Sequence, residues 1–236
     1  MLPPPSTTHI DPTLIYPPAE DSHLLLDTLS SASETHFLSA RFAPPSSPPL
    51  FLEIGTGSGV VLAFAAAHRR ALFGRDDVLT LGTDVNAAAC EAAARTVGEA
   101  LGAAGATAAG FLGCVVGDLA WPVAPGRTDV LVFNPPYVPS ELVPPLPSSA
   151  APTSAHLLSL ATDGGPSGLA TTNRLLARLD AVLGPRGVAY VLLCARNGPD
   201  AVVRRVRAWG AGWGVRRVVE RTAGWERLCV VRIWRV

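Results

Sequence analysis

An α/β fold with a largely parallel sheet is what this chain predicts, and three observations predict it. Apolar strand-like runs alternate with helical segments, a glycine-rich turn follows the first strong run, and an acidic or amide residue closes each of the first four runs. At 236 residues with 48% hydrophobic content, the chain is long enough for one large domain with a sizeable core. One domain over 1–236 is expected, with 1–49 as an N-terminal extension carrying a helix and 138–156 as a Pro/Ser-rich loop.

The elements follow in order. Tyr16-Pro17-Pro18-Ala19-Glu20-Asp21-Ser22 leads into His23-Leu24-Leu25-Leu26-Asp27-Thr28-Leu29, and prolines followed by acids suit the start of a helix, which is expected to pack over the site. Arg41 to Pro49 reads as a linker. Leu50-Phe51-Leu52-Glu53-Ile54 is a short buried strand, followed by Gly55-Thr56-Gly57-Ser58-Gly59 and an apolar helix from Val60 to Arg70.

Further strands are expected at Val78 to Thr83, Phe111 to Val116 and Val130 to Phe133, with an alanine-rich helix from Asn86 to about Leu101 between the first two. A helix from about Leu169 to Leu183, a strand from Val188 to Cys194 and a helix from Pro199 to Trp209 come next. Val215 to Glu220 and Arg227 to Ile233 are close enough to form a hairpin, so an antiparallel pair should end the sheet. Two low-complexity stretches, Gly98 to Gly110 and Val138 to Ala155, do not read as rigid. The second lies where a substrate would enter, and is either an entry loop or a plain insertion.

Composition excludes several function classes. No apolar run approaches the roughly 20 residues that cross a bilayer, and prolines stand where a signal peptide would be basic and then apolar, so a cytosolic location is expected, with a nuclear pool also allowed. Cys90, Cys114, Cys194 and Cys229 lie far apart without a CxxC pair, and the five histidines are scattered, so no metal is expected. Net charge is zero, and all 19 basic residues are arginine. The cluster Arg204, Arg205, Arg207, Arg216, Arg217 and Arg221 falls on a helix and a strand as a solvated face, so duplex binding through many phosphate contacts is not favoured.

Asn134-Pro135-Pro136-Tyr137, directly after Val130-Leu131-Val132-Phe133, names a chemistry. An amide or aromatic amine is a poor nucleophile until acceptors hold both its hydrogens and its plane is pinned. The Asn134 side-chain oxygen and the Pro135 carbonyl supply two such acceptors, and Tyr137 packs against the flat group. Positioning carries such a methyl transfer, and no strong base is needed.

Ligands of open α/β sheets bind beyond the carboxyl ends of the strands. Glu53 before the glycine turn would repel a phosphate but suits a cationic ligand such as S-adenosylmethionine. Glycines at 55 and 57 let the backbone approach it, Asp84 is placed to accept from two ribose hydroxyls, and Asp118 with the backbone of Leu119 reads the adenine edge. Each acid alone is equally a helix cap or turn former, but four polar residues in order at four strand ends are not explained that way.

With these residues in hand, the chain resembles the class I S-adenosylmethionine-dependent methyltransferases, and within them the HemK/PrmC-like glutamine N5-methyltransferases of the eukaryotic and archaeal branch. Tyr-Pro-Pro-Ala-Glu-Asp-Ser, Leu-Glu-Ile-Gly-Thr-Gly-Ser-Gly-Val-Val, Thr-Asp-Val-Asn and Val-Phe-Asn-Pro-Pro-Tyr-Val occur in that family's order from Tyr16 onward. The resemblance implies a Rossmann-like, seven-stranded, mostly parallel sheet with its last strand antiparallel and helices on both faces. It also implies a cofactor pocket formed by Ser22, Glu53, Gly55, Asp84, Asp118, Leu119 and Asn134, with substrate contacts from Asn134, Pro135, Pro136 and Tyr137.

The substrate it implies is the glutamine of the Gly-Gly-Gln motif in a class I translation release factor, and the partner a small zinc-binding activator. Only 49 residues precede the first strand, too few for the helical substrate-binding domain of bacterial relatives. Phe111 to Val116 is expected to be either an uncovered outer strand on which the activator docks or a strand buried by its own helices. The family's aromatic-Ala-Gly-Gly is replaced by Ala161-Thr162-Asp163-Gly164-Gly165-Pro166, where Asp163 is either a site residue or, the favoured reading, a turn residue. The rival readings are an adenine N6- or lysine methyltransferase, and a scaffold that binds cofactor without turnover.

Overall fold

The computed structural model of the chain describes residues 2–147, 152–224 and 226–236. Strands β1 (Leu50–Ile54), β2 (Leu79–Asp84), β3 (Phe111–Val116), β4 (Thr128–Phe133) and β5 (Leu183–Cys194) run parallel. They join β6 (Trp213–Ala223) and β7 (Glu226–Arg235) in one sheet of order β3-β2-β1-β4-β5-β7-β6. β7 opposes both of its neighbours, so the expected hairpin is present but β6 runs with the five parallel strands and β7 alone is reversed.

Alternation along the central strands divides two cores. Phe51, Val130, Val132, Val188, Tyr190 and Leu192 point to one face, where α1 (Glu20–Ser30), α3 (Val60–Ala67) and α5 (Ala87–Ala103) cover them through residues such as Leu24, Leu62, Phe64 and Val97. Leu52, Ile54, Leu131, Phe133, Ala189, Val191 and Leu193 point to the other, against α7 (Ala170–Leu176), α8 (Leu179–Val182) and α9 (Pro199–Arg207). Each fully buried Val, Leu, Ile or Phe contributes about 1.5–3 kcal/mol, so this two-sided core fixes the strand ends on which the site is built.

Several boundaries differ from the sequence expectation. A helix, α2 (Ala32–Arg41), fills the end of the extension, and only Glu34 and Leu38 along it are buried, so no apolar stripe announces it. It is held from a distance. The buried Glu34 carboxylate accepts from the Tyr190 hydroxyl at 2.8 Å and from Arg232 at 2.7 Å, and the Arg232 guanidinium stacks 3.7 Å from the Phe37 ring centre. Pairing of this kind offsets the cost of burying a charge.

The helix expected from Val60 to Arg70 breaks at His68 into α3 and α4 (Arg69–Phe73). The helix expected from Leu169 to Leu183 is α7 and α8, and Leu183 already pairs with Thr128, with Gly184 to Gly187 bulging out before regular pairing resumes at Val188. α5, capped by the Asn86 side chain on the Ala88 N–H at 3.0 Å, continues to Ala103 into the first low-complexity stretch. The second runs into α6 (Ser154–Thr162), which begins in its last two residues and is started by the Thr153 hydroxyl accepting from the His156 N–H at 3.2 Å; residues 148–151 of the stretch lie outside the described ones.

β3 is an outer strand rather than one buried by its own helices. Leu112, Val115 and Val116 are 55%, 41% and 55% exposed.

Candidate active site

The carboxyl ends of β1, β2 and β4 open into a cavity of about 220 Å³. Ser22, Glu53, Gly55, Gly57, Asp84, Asp118, Leu119, Asn134, Pro135, Pro136 and Tyr137 all line it. Five chain segments that are distant in sequence therefore meet at one place.

At the end formed by β1 and β2, Gly55 and Gly57 have φ of 66° and 48°, which an L side chain rarely adopts, so the turn needs glycine. Glu53 is buried, and its carboxylate accepts from the Leu62 N–H at 2.7 Å in the first turn of α3, supplying a cap that Gly59 has no side chain to give. Asp84 accepts from the Gly57 N–H and the Asn86 N–H, each at 2.9 Å, which ties the glycine turn to the end of β2. Asn86, not Asp84, is the cap of α5.

Burial raises the Glu53 carboxyl well above the usual carboxylate range, the Leu62 N–H opposes this, and the Asp84 charge adds to it. Burial also raises Asp84, against the backbone N–H groups of Gly57, Asn86 and Val85. What acts on these two acids is desolvation, amide dipoles and, on Glu53, the charge of Asp84, with no cationic side chain among the described residues acting on either, an arrangement that attracts a cation.

Farther along, Leu119 has φ of 53°, and its carbonyl accepts from the Thr83 hydroxyl at 2.8 Å. A non-glycine residue in this region costs on the order of 1–3 kcal/mol and persists only where its surroundings impose it. Asp118 is paired with Arg174 of α7, a partner that the sequence reading did not anticipate. Leu14, Ile15 and Tyr16 close this side of the cavity as a strap fastened by the Asn86 side-chain N–H to the Leu14 carbonyl at 2.9 Å.

At the opposite end the Asn134 Nδ2 donates to Asp21 at 3.0 Å. Asp21 is buried in the first turn of α1, and an ionised carboxylate only accepts hydrogen bonds, so it fixes the direction of the amide. The Asn134 Oδ1 is left buried with no partner among the described residues. An orphaned acceptor costs roughly 1–3 kcal/mol, which a donor from a bound molecule would recover.

The Tyr137 hydroxyl lies 3.4 Å from Asp21 and 3.3 Å from Glu226, at the start of β7. Burial raises its ionisation far above the ordinary phenol range, and the charges of Asp21 and Glu226 raise it further, so it is a neutral donor. Asp163 caps the end of α6, pairs its backbone beside Val138 and also lines the cavity. Leu157, Leu160 and Ala161 of α6 wall the same end.

Sequence reasoning missed Asp21, Glu226 and Arg174. Asp21 stands in Tyr16-Pro17-Pro18-Ala19-Glu20-Asp21-Ser22, where the sequence marks only the start of a helix; nothing local marks the other two.

Comparison with known proteins places the chain. No family model matches it. Methyltransferase HEMK2 of Homo sapiens is 30% identical over 223 residues, covering 92% of this chain and 88% of the relative. Methyltransferase HEMK2 of Mus musculus is 32% identical over 225 residues with the same coverage, 92% and 88%. The eRF1 methyltransferase catalytic subunit mtq2 of Schizosaccharomyces pombe is 29% identical over 230 residues, covering 94% and 90%.

Among solved structures, a chain of the E. cuniculi Mtq2–Trm112 complex, described as responsible for methylating the eRF1 translation termination factor, superposes with a TM-score of 0.59. It is 23% identical and covers 94% of this chain and 99% of that chain, a likeness of fold. With the strand-end acids, the glycine turn and the Asn-Pro-Pro-Tyr corner gathered on one cavity, and with relatives matched over nearly their whole length, the chain belongs to the HEMK2 family of methyltransferases.

Proposed function

We propose that this chain transfers a methyl group from S-adenosylmethionine to the side-chain nitrogen of the glutamine in a Gly-Gly-Gln motif of a class I translation release factor. The observation that carries the reading is the buried, unpartnered Asn134 Oδ1, an acceptor left open at a residue that lines the cavity while Asp21 holds the other side of the amide. Its natural partner is an N–H of a planar amide.

The residues present fit the cofactor. Two carboxylates without a cation, the buried Glu53 and the half-buried Asp84, stand beside a glycine turn and the start of α3, where an ammonium and a carboxylate would each find a partner. Asp84 and Ser22 would hold ribose and amino-acid groups, and Asp118 with Leu119 the adenine edge. When bound, S-adenosylmethionine supplies an electrophilic methyl group on a sulfonium.

The chain's own part is positional. Asn134 Oδ1 accepts one amide hydrogen of the glutamine and the Pro135 carbonyl the other, which fixes the plane of the amide and directs its lone pair. Asp21 polarises the Asn134 amide through the Nδ2–H, strengthening the oxygen as an acceptor while the substrate nitrogen gains positive charge. Tyr137, kept neutral, braces the wall between α1 and β7.

The small zinc-binding activator is proposed to add to the open edge of β3. Support comes from the contrast between the two outer strands: β3 shows Leu112, Val115 and Val116 to solvent, whereas β6 carries Arg216, Arg217, Glu220 and Arg221, the charges with which free edges avoid pairing. All four cysteines are free, which supports the cytosolic location we propose.

Isotopic methyl transfer to cytosolic protein and to nucleic acid in parallel, with the modified residue mapped by mass spectrometry, tests the substrate. Label on a Gly-Gly-Gln glutamine is expected. Label confined to adenine or lysine would overturn the substrate assignment, and cofactor binding without any transfer would favour a scaffold. Val115→Asp should abolish co-purification of the activator; retained binding would place the partner elsewhere.

A further inference from the structure

We infer that Asn197, which does not line the cavity, is a positioning residue for the reaction, acting on the Asn-Pro-Pro-Tyr corner through the Tyr137 carbonyl. This inference rests on the proposed reaction. The corner has to hold a backbone carbonyl, that of Pro135, as firmly as the Asn134 side chain, yet it has left the ladder of β4, and its two prolines carry no N–H with which to fasten it.

Asn197 is 3% exposed in the short 3-10 turn after β5, and the structure gives partners to both ends of its amide. Its Oδ1 accepts from the Cys194 N–H at 2.8 Å, at the end of the sheet. Its Nδ2 donates to the Tyr137 carbonyl at 2.9 Å and to the carbonyls of Ser167 and Gly168 at 3.1 and 3.3 Å. One buried side chain therefore joins the rigid end of β5, the catalytic corner and the loop after α6.

That loop is pressed backbone to backbone against the corner. A Cβ on Gly168 would stand 2.1 Å from the Tyr137 carbonyl oxygen and 2.4 Å from the Asn197 Nδ2, and one on Gly164 would stand 2.4 Å from the Pro136 carbonyl oxygen. Backbone bonds from the Val138 N–H to Thr162 at 3.0 Å and from the Gly164 N–H to Val138 at 2.8 Å complete the contact. Both glycines are required by closeness, and Asn197 is the hydrogen-bonding centre of the assembly. Without it the Tyr137 carbonyl loses its donor, and the corner is free to shift by the fraction of an ångström that near-attack geometry does not tolerate.

The test uses the full chain, co-expressed with its activator, as wild type, Asn197→Ala, Gly168→Ala and the double variant. Each single variant should lower kcat roughly 10- to 100-fold, the range expected of a small misplacement. Cofactor affinity and the substrate KM should stay within about twofold. The double variant should be no worse than the worse single one, because both act on the same carbonyl. A folded Asn197→Ala with wild-type kcat, or one whose loss lies wholly in cofactor affinity, would overturn the inference.

Hydrogen exchange at the Val138 amide supplies a readout independent of turnover, and of Asn197→Ala folding well enough to assay, because Gly168→Ala gives the same signal. Exchange should accelerate there while the β4 amides stay protected, and unchanged protection in Gly168→Ala would count against the inference. A wild-type chain that labels no glutamine would instead sink the proposed reaction, with the exchange result still deciding what holds the corner.

Discussion

At the cofactor end of the cavity the three acids, Glu53, Asp84 and Asp118, sit at or within two residues of the carboxyl end of a strand, and the partners of the first two are backbone N–H groups nearby: Leu62 for Glu53, Gly57 and Asn86 for Asp84. At the acceptor end the side chains come from positions 21, 134, 137, 197 and 226, and they bond to one another across 60 to 116 residues. The first arrangement is a property of strand, turn and helix, and tolerates a ligand because Glu53 and Asp84 lack a cation. The second exists only once α1, β4, β5 and β7 have been assembled, and it leaves one acceptor unsatisfied for the substrate. Binding and reaction are thus built by different means in one cavity, and substitutions should separate them.

The sharpest separation is expected from Asn134→Ala. Saturating kcat should fall by roughly 10²–10³, the cost of losing one preorganised polar contact to the reacting group, with cofactor affinity nearly unchanged. Single-turnover transfer checks this, and full activity would refute the acceptor role. Asp21→Asn should come next, with a fall in kcat of about 10- to 100-fold, because a neutral amide facing Asn134 no longer dictates which side of it is left free to accept. A larger change in cofactor affinity than in kcat would place Asp21 at the wrong end.

Asp84→Ala reverses the pattern. A lost hydrogen bond to a charged group is worth about 1.5–3 kcal/mol, or at least roughly tenfold in cofactor affinity measured by calorimetry, with kcat at saturation largely kept. Unchanged affinity would remove the ribose assignment.

The smallest effect is one of pH. The folded-state pKa of Glu53 lies above its unfolded value, so between the two the native state binds the extra proton and stability falls as pH rises. A cationic ligand prefers the ionised carboxylate, so its binding expels that proton and its affinity should increase with pH through this window. Glu53→Gln should flatten the slope by a few-fold in affinity; a slope that survives would assign it to another group.

The two ends also differ in how far they can be read without coordinates. Glu53, Asp84 and Asp118 were identifiable because each stands in or just beyond the end of an apolar run that reads as a strand, and parallel strands deliver their ends to one side. Asp118 gave a partial account, since its partner Arg174 comes from a helix 56 residues later. Asn134 to Tyr137 were identifiable from their own chemistry. Glu226 and Asn197 were not, since a glutamate after a turn and an asparagine in Ala195-Arg196-Asn197 have no local mark that separates them from surface residues. The helix α2 was missed for the same reason: its one decisive residue, Glu34, is held by Tyr190 and Arg232.

What the sequence by itself determined, then, is everything set by period and neighbours: the strands with their two-sided apolar alternation, the glycine turn, the order of the strand-end acids and the chemical meaning of Asn-Pro-Pro-Tyr. Tertiary structure alone decided the rest. It exposed the apolar edge of β3, left the Asn134 oxygen without a partner by setting Asp21 against the other side of its amide, and tied the corner to β5 through Asn197. The physical reason is that strand and turn formation is driven by burial and backbone geometry over a few residues, whereas a buried polar group takes its direction from whichever partner the completed packing brings to it.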